Sequence, residues 1–327
     1  MRIIDVHTHG MGNQDTRGAT PEEVLKIAEL HGSLGVDAIL PTIYSGEIEQ
    51  MRLDVIAVKK AMEMQTQPGP RFKGQGSRME NAATEVGPLE DSGIKNNFNQ
   101  KNHQFSIGPE APARILGVHL EGPFLNPSFA GALDKGSFLP VAYSKVDQLL
   151  DGIADIVRII TIAPELYGAP ELIRKISNKG IIVNMGHSDA TYNEAEEGFN
   201  AGAKGITHIF NAMRFVHHRE PGIAGFGLSN PHVYIEIIAD RFHLHQKTIE
   251  LIFLAKPSDR IIIVSDSVKG TRINGATKNV NSPTGALLGG SMSITESAGY
   301  LTSLGISDDV VQGCISENPE EYLRDKL

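Results

Sequence analysis

At 327 residues, with 40% hydrophobic and 21% charged side chains, the chain has the composition of a globular protein with a large core, and it is long for one domain unless that domain is an α/β barrel. Its 30 basic and 39 acidic residues leave a net charge of -9, which excludes the basic surplus that a nucleic-acid binder uses against phosphates. The single cysteine, Cys314, excludes a disulfide framework and a cysteine-built zinc site, so any metal must be held by His, Asp or Glu.

The N-terminus enters MRIIDV without the charged, apolar and cleavage regions of a secretory leader. No later stretch has about 18 uninterrupted apolar residues, so a soluble, cytoplasmic protein with no membrane partner is expected. The first apolar run, Ile3–Val6, leads into His7-Thr8-His9. Side chains alternate across a strand, so these two imidazoles point the same way and could grip one ion; two surface histidines at a strand end fit the pair equally well. TPEEVLKIAELHGSLG reads as a helix capped by Thr20 with Pro21 in its first turn, and the run Ala38–Leu40 follows. The stretch 67–110 is rich in Gly, Asn and Pro, shows no sustained apolar period, and reads as a disordered or loosely packed insertion.

Beyond it the pattern resumes. Ile115–Leu120 is followed by Glu121, and Val157–Ile162 is the fourth run. Ile181–Met185 is followed by His187 and by a helix, TYNEAEEGFNAG, capped by Thr191. Gly205–Thr207 precedes His208, Tyr234–Ile238 precedes Asp240, and Ile261–Ser265 precedes Asp266. Near-continuous apolar strands alternating with helices imply a parallel sheet buried on both faces. Eight of them fit an α/β fold of the (β/α)8 TIM-barrel type, one domain over 1–327, with a doubly wound open sheet as the alternative. A barrel gathers the strand ends at one rim, where active sites of this fold sit, whereas an open sheet spreads them along an edge.

Gathered there, Glu121, His187 and His208 supply one carboxylate and two imidazoles and leave a coordination position open, as catalytic zinc sites do. His7 and His9 complete this site or hold a second ion. Asp266 can then take a proton from a metal-acidified water and pass it to a leaving group, which points to metal-assisted hydrolysis of an amide or ester. His119 shares a strand face with Glu121 and is expected to line the pocket without ligating. His31, in a helix, and His232, in a loop, are expected to be structural or exposed.

The segments HTHG, GVHLEGPFLNP, GHSDATY, THIFNAM, HHREPGIAG, IIADRFHLH and VSDS resemble the amidohydrolase superfamily and, within it, the N-acetylglucosamine-6-phosphate deacetylases. The resemblance runs in order from residue 1 to about Pro319, with 67–110 outside it. It implies that Glu121, His187 and His208 bind the principal metal and that Asp266 is the general acid/base. Asn211, the backbone at Ala212, Arg219 and His243 match positions that hold the sugar phosphate or the amide carbonyl. A guanidinium and an amide suit a phosphate dianion; the competing role for Arg219 is a surface pair with Glu220. The implied activity removes the N-acetyl group from a small amino sugar phosphate, with one or two divalent ions and a homodimeric assembly. Zinc is the first candidate, and iron, cobalt or manganese suit the same donors.

Three departures accompany the match. The small β-sandwich of relatives, built from segments before the first strand and after the last helix, is expected to be absent. Leu133 of AGALD stands where relatives carry a histidine, and SVKGTRINGA after Asp266 differs from the small-residue run usual there. These departures keep two rivals open: hydrolysis of a different N-acyl or cyclic amide, and a non-catalytic barrel that binds a sugar phosphate.

Overall fold

The computed structural model describes residues 2–66, 111–272, 280–281 and 285–324. The insertion expected at 67–110 lies outside the described residues. The eight apolar runs form strands that pair in parallel in chain order: Ile4–Thr8 (β1), Ala38–Ile43 (β2), Val118–Glu121 (β3), Val157–Ile162 (β4), Ile182–Met185 (β5), Gly205–Ile206 (β6), Tyr234–Ile238 (β7) and Ile261–Val264 (β8). The last strand returns to the first through a parallel bridge from Ser267 to Thr8. At that seam the N–H groups of His9 and Gly10 donate to Ser267 O at 2.7 and 3.0 Å, and the Asp266 N–H donates to His7 O at 2.9 Å. Closure makes the fold a TIM barrel and excludes the open sheet.

Two strand boundaries differ from expectation in ways that matter for the site. β1 continues through Thr8, so His7 lies inside the strand rather than beyond it, and the pairing with β2 shifts register between Asp5 and Thr8. Such irregularities re-aim side chains at strand ends. The run expected over Ile115–Leu120 is broken: Arg114–Ile115 pairs with β2, and β3 starts afresh at Val118. Gly117, between them, has φ 142° and lies where a Cβ would overlap Ile156 O, so a side chain is excluded at the break.

Helices Pro21–Ser33 (α1), Ile48–Thr66 (α2), Tyr143–Leu150 (α3), Ala169–Asn178 (α4), Tyr192–Asn200 (α5), Gly222–Ser229 (α6), Gln246–Ala255 (α7), Ile294–Ser303 (α8), Asp308–Ile315 (α9) and Glu317–Leu323 (α10) complete the order. Both expected caps are present as capping boxes, Thr20 with Glu23 and Thr191 with Glu194, each arrangement contributing about 1 kcal/mol. The strands' outward faces and the helices' buried faces form one large apolar cluster. A second cluster, made by Ile4, Val6, Leu40, Ile159, Ile182, Ile262 and Val264 with Tyr322 and Leu323 of α10, fills the barrel interior. Among the described residues no helix is long and apolar enough to cross a membrane.

His31 of α1 is fully buried against β1. Its Nε2 lies 3.0 Å from Thr8 Oγ1, and its Nδ1 lies 3.9 Å from Asp5 Oδ2. Burial lowers His31 to about 4. Burial, opposed by hydrogen bonds from Ser265 and His7, raises Asp5 to about 7. Between pH 4 and 6.5 the unfolded chain therefore carries a proton on His31, and the folded chain carries it on Asp5. Their contributions to the pH slope of stability cancel across that window. Asp5→Asn removes one side of the balance. In chelator-treated protein its stability should fall from pH 6.5 to 4.5 by up to about 3 kcal/mol more than wild type, read from urea unfolding midpoints. Parallel pH profiles would show that the pair does not exchange its proton on folding.

Candidate metal centre and active site

The barrel turns its C-terminal rim into a cluster of donors. His7 and His9 come from β1 and its end, Glu121 from the last position of β3, and His187, His208 and Asp266 from the turns after β5, β6 and β8. Those last three residues have φ values of 47°, 31° and 46°. This left-handed backbone is rare for residues with a Cβ; here it bends the chain sharply past each strand and clusters at the site, as backbone strain often does.

Glu121 is the hub. Its Oε1 lies 3.1 Å from His187 Nε2 and 3.0 Å from His208 Nε2, while its Oε2 lies 3.1 Å from His9 Nε2. His7 Nε2 is 3.6 Å from Glu121 Oε1 and 3.3 Å from His9 Nε2. Asp266 Oδ1 faces the pair from the other side, 3.4 Å from His7 Nε2 and 3.6 Å from His9 Nε2. Among the described residues, Glu121 belongs to two sets of metal-competent atoms, Glu121/His187/His208 and His7/His9/Glu121, each with its donor atoms within 4.8 Å of one another.

The donor chemistry fits divalent cations. His187 Nδ1 lies 2.9 Å from Phe129 O, and His9 Nδ1 lies 3.1 Å from Thr42 O. A carbonyl only accepts, so each ring carries its proton on Nδ1 and turns an Nε2 lone pair toward Glu121. Lone pairs facing carboxylate oxygens at hydrogen-bond distance call for a positive charge between them, and the outer hydrogen bonds fix the tautomer that ligates. Burial, reinforced by the charges of Glu121 and Asp240, pushes Asp266 well above the usual range. Burial also holds His7 well below its ordinary value.

A cavity of about 280 Å³ opens above the cluster, lined by His9, Glu121, His187, His208 and Asp266 on its floor. Asn211, Ala212 and His243 also line it. Asn211 Nδ2 donates to His208 O at 3.2 Å, and Ala212 has φ 49°. His243 Nδ1 lies 2.9 Å from Asp240 Oδ2. Despite burial, the hydrogen bond with His243 lowers Asp240 to about 2. Arg219 is not brought to this lining: it is exposed, with its guanidinium 3.1 Å from His218 Nε2. Glu220, its rival partner, instead accepts the N–H groups of Tyr192 and Gly222. Leu133 does line the cavity, as do Ala132, Leu287 and Leu288.

One expectation needs correction. His119 does not line the pocket; it lies deeper in the barrel, Nδ1 3.2 Å from Val6 O and Nε2 2.8 Å from Thr161 Oγ1, because β3 points it into the interior layer below Glu121. Two residues with a place at the site escaped sequence reasoning. Tyr44, just past β2, stacks on His9 at 3.8 Å between ring centroids. Glu236, buried within β7, lies 3.2 Å from His7 Nδ1. A lone carboxylate inside the apolar run YIEII was the available signal.

Fold and site define a (β/α)8 barrel whose C-terminal rim carries a cluster of histidines and carboxylates able to hold a metal ion. No family model matches the chain. The N-acetylglucosamine-6-phosphate deacetylase of Bacillus subtilis is 40% identical over 157 residues, covering 48% of this chain and 40% of that protein. The enzyme of the same name from Vibrio furnissii is 29% identical over 269 residues, covering 82% and 56%. Among solved structures, the barrel matches N-acetyl-D-glucosamine-6-phosphate deacetylase from Mycobacterium smegmatis with TM-score 0.79 and 22% identity, over 99% of this chain and 77% of that one. The chain is similar in sequence to N-acetylglucosamine-6-phosphate deacetylases and shares their barrel fold. It spans about half the length of the curated relatives it matches.

Because Glu121 is shared by both donor sets, Glu121→Gln should abolish uptake of every ion, whereas His187→Ala should spare the His7/His9 side. Zinc per chain, measured by atomic emission after equilibrium dialysis, checks this. Two tightly held ions in Glu121→Gln would show that the carboxylate does not serve both sets.

Proposed function

We propose that the chain is a metal-dependent deacetylase of an amino sugar phosphate such as N-acetylglucosamine 6-phosphate. The observation that carries the reading is Asp266 Oδ1, placed 3.4 and 3.6 Å from two imidazole nitrogens at the floor of a cavity whose wall carries Asn211 and His243. Glu121, His187 and His208 would hold the principal ion, and His7 and His9 with Glu121 a second. Zinc is the leading candidate among the metals that suit these donors. Ions there would supply acidified water and a polarised amide carbonyl.

The chain's own residues do the rest. Asp266 accepts a proton from the attacking water and delivers it to the amide nitrogen as the C–N bond breaks, giving acetate and the free amino sugar. His243, steadied by Asp240, and Asn211 would grip the polar end of the substrate, with the backbone at Ala212. Arg219 would serve the phosphate only when its exposed loop meets the substrate. The reading extends to a cytoplasmic homodimer on the family resemblance alone. One observation favours a variant of it: Leu133, Leu287 and Leu288 give the cavity lining apolar side chains, which suits a different N-acyl group on the sugar.

Acetate release from N-acetylglucosamine 6-phosphate should be abolished by chelation and restored by zinc or iron. Asp266→Asn should lower kcat at least about 100-fold with metal content unchanged. Near-normal turnover in that variant would rule out its acid/base role. No release by metal-loaded wild type, with release from other N-acyl sugars, would move the substrate and keep the reaction.

A further inference from the structure

Below the metal centre the barrel interior holds a connected polar string that the proposed chemistry does not use. Glu236 of β7 is 1% exposed. Its Oε2 lies 3.2 Å from His7 Nδ1, and its Oε1 accepts from Asn184 Nδ2 at 2.7 Å. Asn184 of β5 also donates to Thr207 Oγ1 at 3.1 Å, and its Oδ1 accepts from the Tyr322 hydroxyl of α10. β6 makes room for that last contact with Gly205, where a Cβ would overlap both Asn184 Oδ1 and the Tyr322 oxygen. The atoms of His7, His119 and Glu236 also lie close enough for a metal. Both nitrogens of His119 are taken by Val6 O and Thr161 Oγ1, however, so this group is an outer support and not a third ion site.

From this arrangement we infer that Glu236 is a positioning residue for the second ion, and that Asn184 and the Tyr322 hydroxyl set its orientation from the opposite end of the barrel. The inference rests on the two-ion part of the reading above. His7 can ligate through Nε2 only with its proton on Nδ1, and the Glu236 carboxylate is the acceptor that keeps it there. Polarity runs one way along the string. The Tyr322 O–H donates to Asn184 Oδ1, which turns the Asn184 amide N–H toward Glu236, which leaves both carboxylate oxygens as acceptors. An amide at position 236 breaks this order. With its oxygen facing Asn184 it presents N–H to His7 Nδ1 and drives the ring proton to Nε2, where it blocks ligation. Turned over, it sets N–H against the Asn184 N–H, whose amide the Tyr322 hydroxyl holds in place.

The test is a Co2+ titration of metal-free wild type and Glu236→Gln, followed by d–d absorption and calorimetry. Wild type should take up two ions in distinguishable steps. Glu236→Gln should keep the first step and its spectrum and weaken the second by about 10- to 100-fold. A residue that merely supported the barrel would weaken both steps together. Should Glu236→Gln fail to fold, Tyr322→Phe, which removes one hydroxyl, is expected to weaken the second step alone by a smaller factor. Unchanged second-ion affinity in the folded variants overturns the inference. A single step in wild type overturns it together with the two-ion reading. Acetate release by the same wild-type preparation reports separately on the deacetylase reading.

Discussion

Everything at the rim depends on one carboxylate, Glu121, being met by imidazoles from three directions at 3.0 to 3.1 Å. A buried anion costs several kcal/mol unless its surroundings return that energy, and no single loop could bring three rings to it. Only a closed barrel does so, because closure fixes the mutual spacing of the ends of β1, β3, β5 and β6. The left-handed turns at His187 and His208 are the local cost of aiming side chains inward from strands that would otherwise carry them past the centre.

The interior divides along its axis. Ile4, Ile159, Ile182 and Ile262, with Tyr322 and Leu323, make an apolar plug, each fully buried aliphatic side chain contributing about 1.5–3 kcal/mol. Above the plug lie Thr161, Thr207, Asn184, His119 and Glu236, joined by hydrogen bonds, and above them the histidine and carboxylate cluster of the rim. A middle layer of this kind is stabilising only when its members are satisfied, and here it holds the donor rings still while the plug holds the strands. Rigidity below thus becomes precision above.

Much of this was legible in the sequence for a simple reason. Val157–Ile162 and Tyr234–Ile238 are apolar runs bounded by polar residues, and their strands follow them in full. Glu121, His187, His208 and Asp266 stand out because each closes or follows such a run. Features set by the third dimension were not legible. The register shift that carries His7 inward depends on how β1 meets β2. Glu236 hid inside an apolar run, since a strand facing the interior leaves no local mark to separate a structural carboxylate from one that touches a ligand. The exposure of Arg219 is likewise a property of the loop's packing, which its HREPG motif does not encode.

The seam between Thr8 and Ser267 joins residues 259 positions apart. His7 and His9 lie on one side of it and Asp266 on the other, so the first and last strands each bring part of the centre. During synthesis the early histidines must wait, without the carboxylates that face them, until nearly all of the barrel has left the ribosome. Contacts of such long separation form late, because the loop entropy must be overcome before they return any energy. The centre is therefore a record of completed folding: a partly made barrel can bury much of its hydrophobic surface, but it cannot assemble the full donor set.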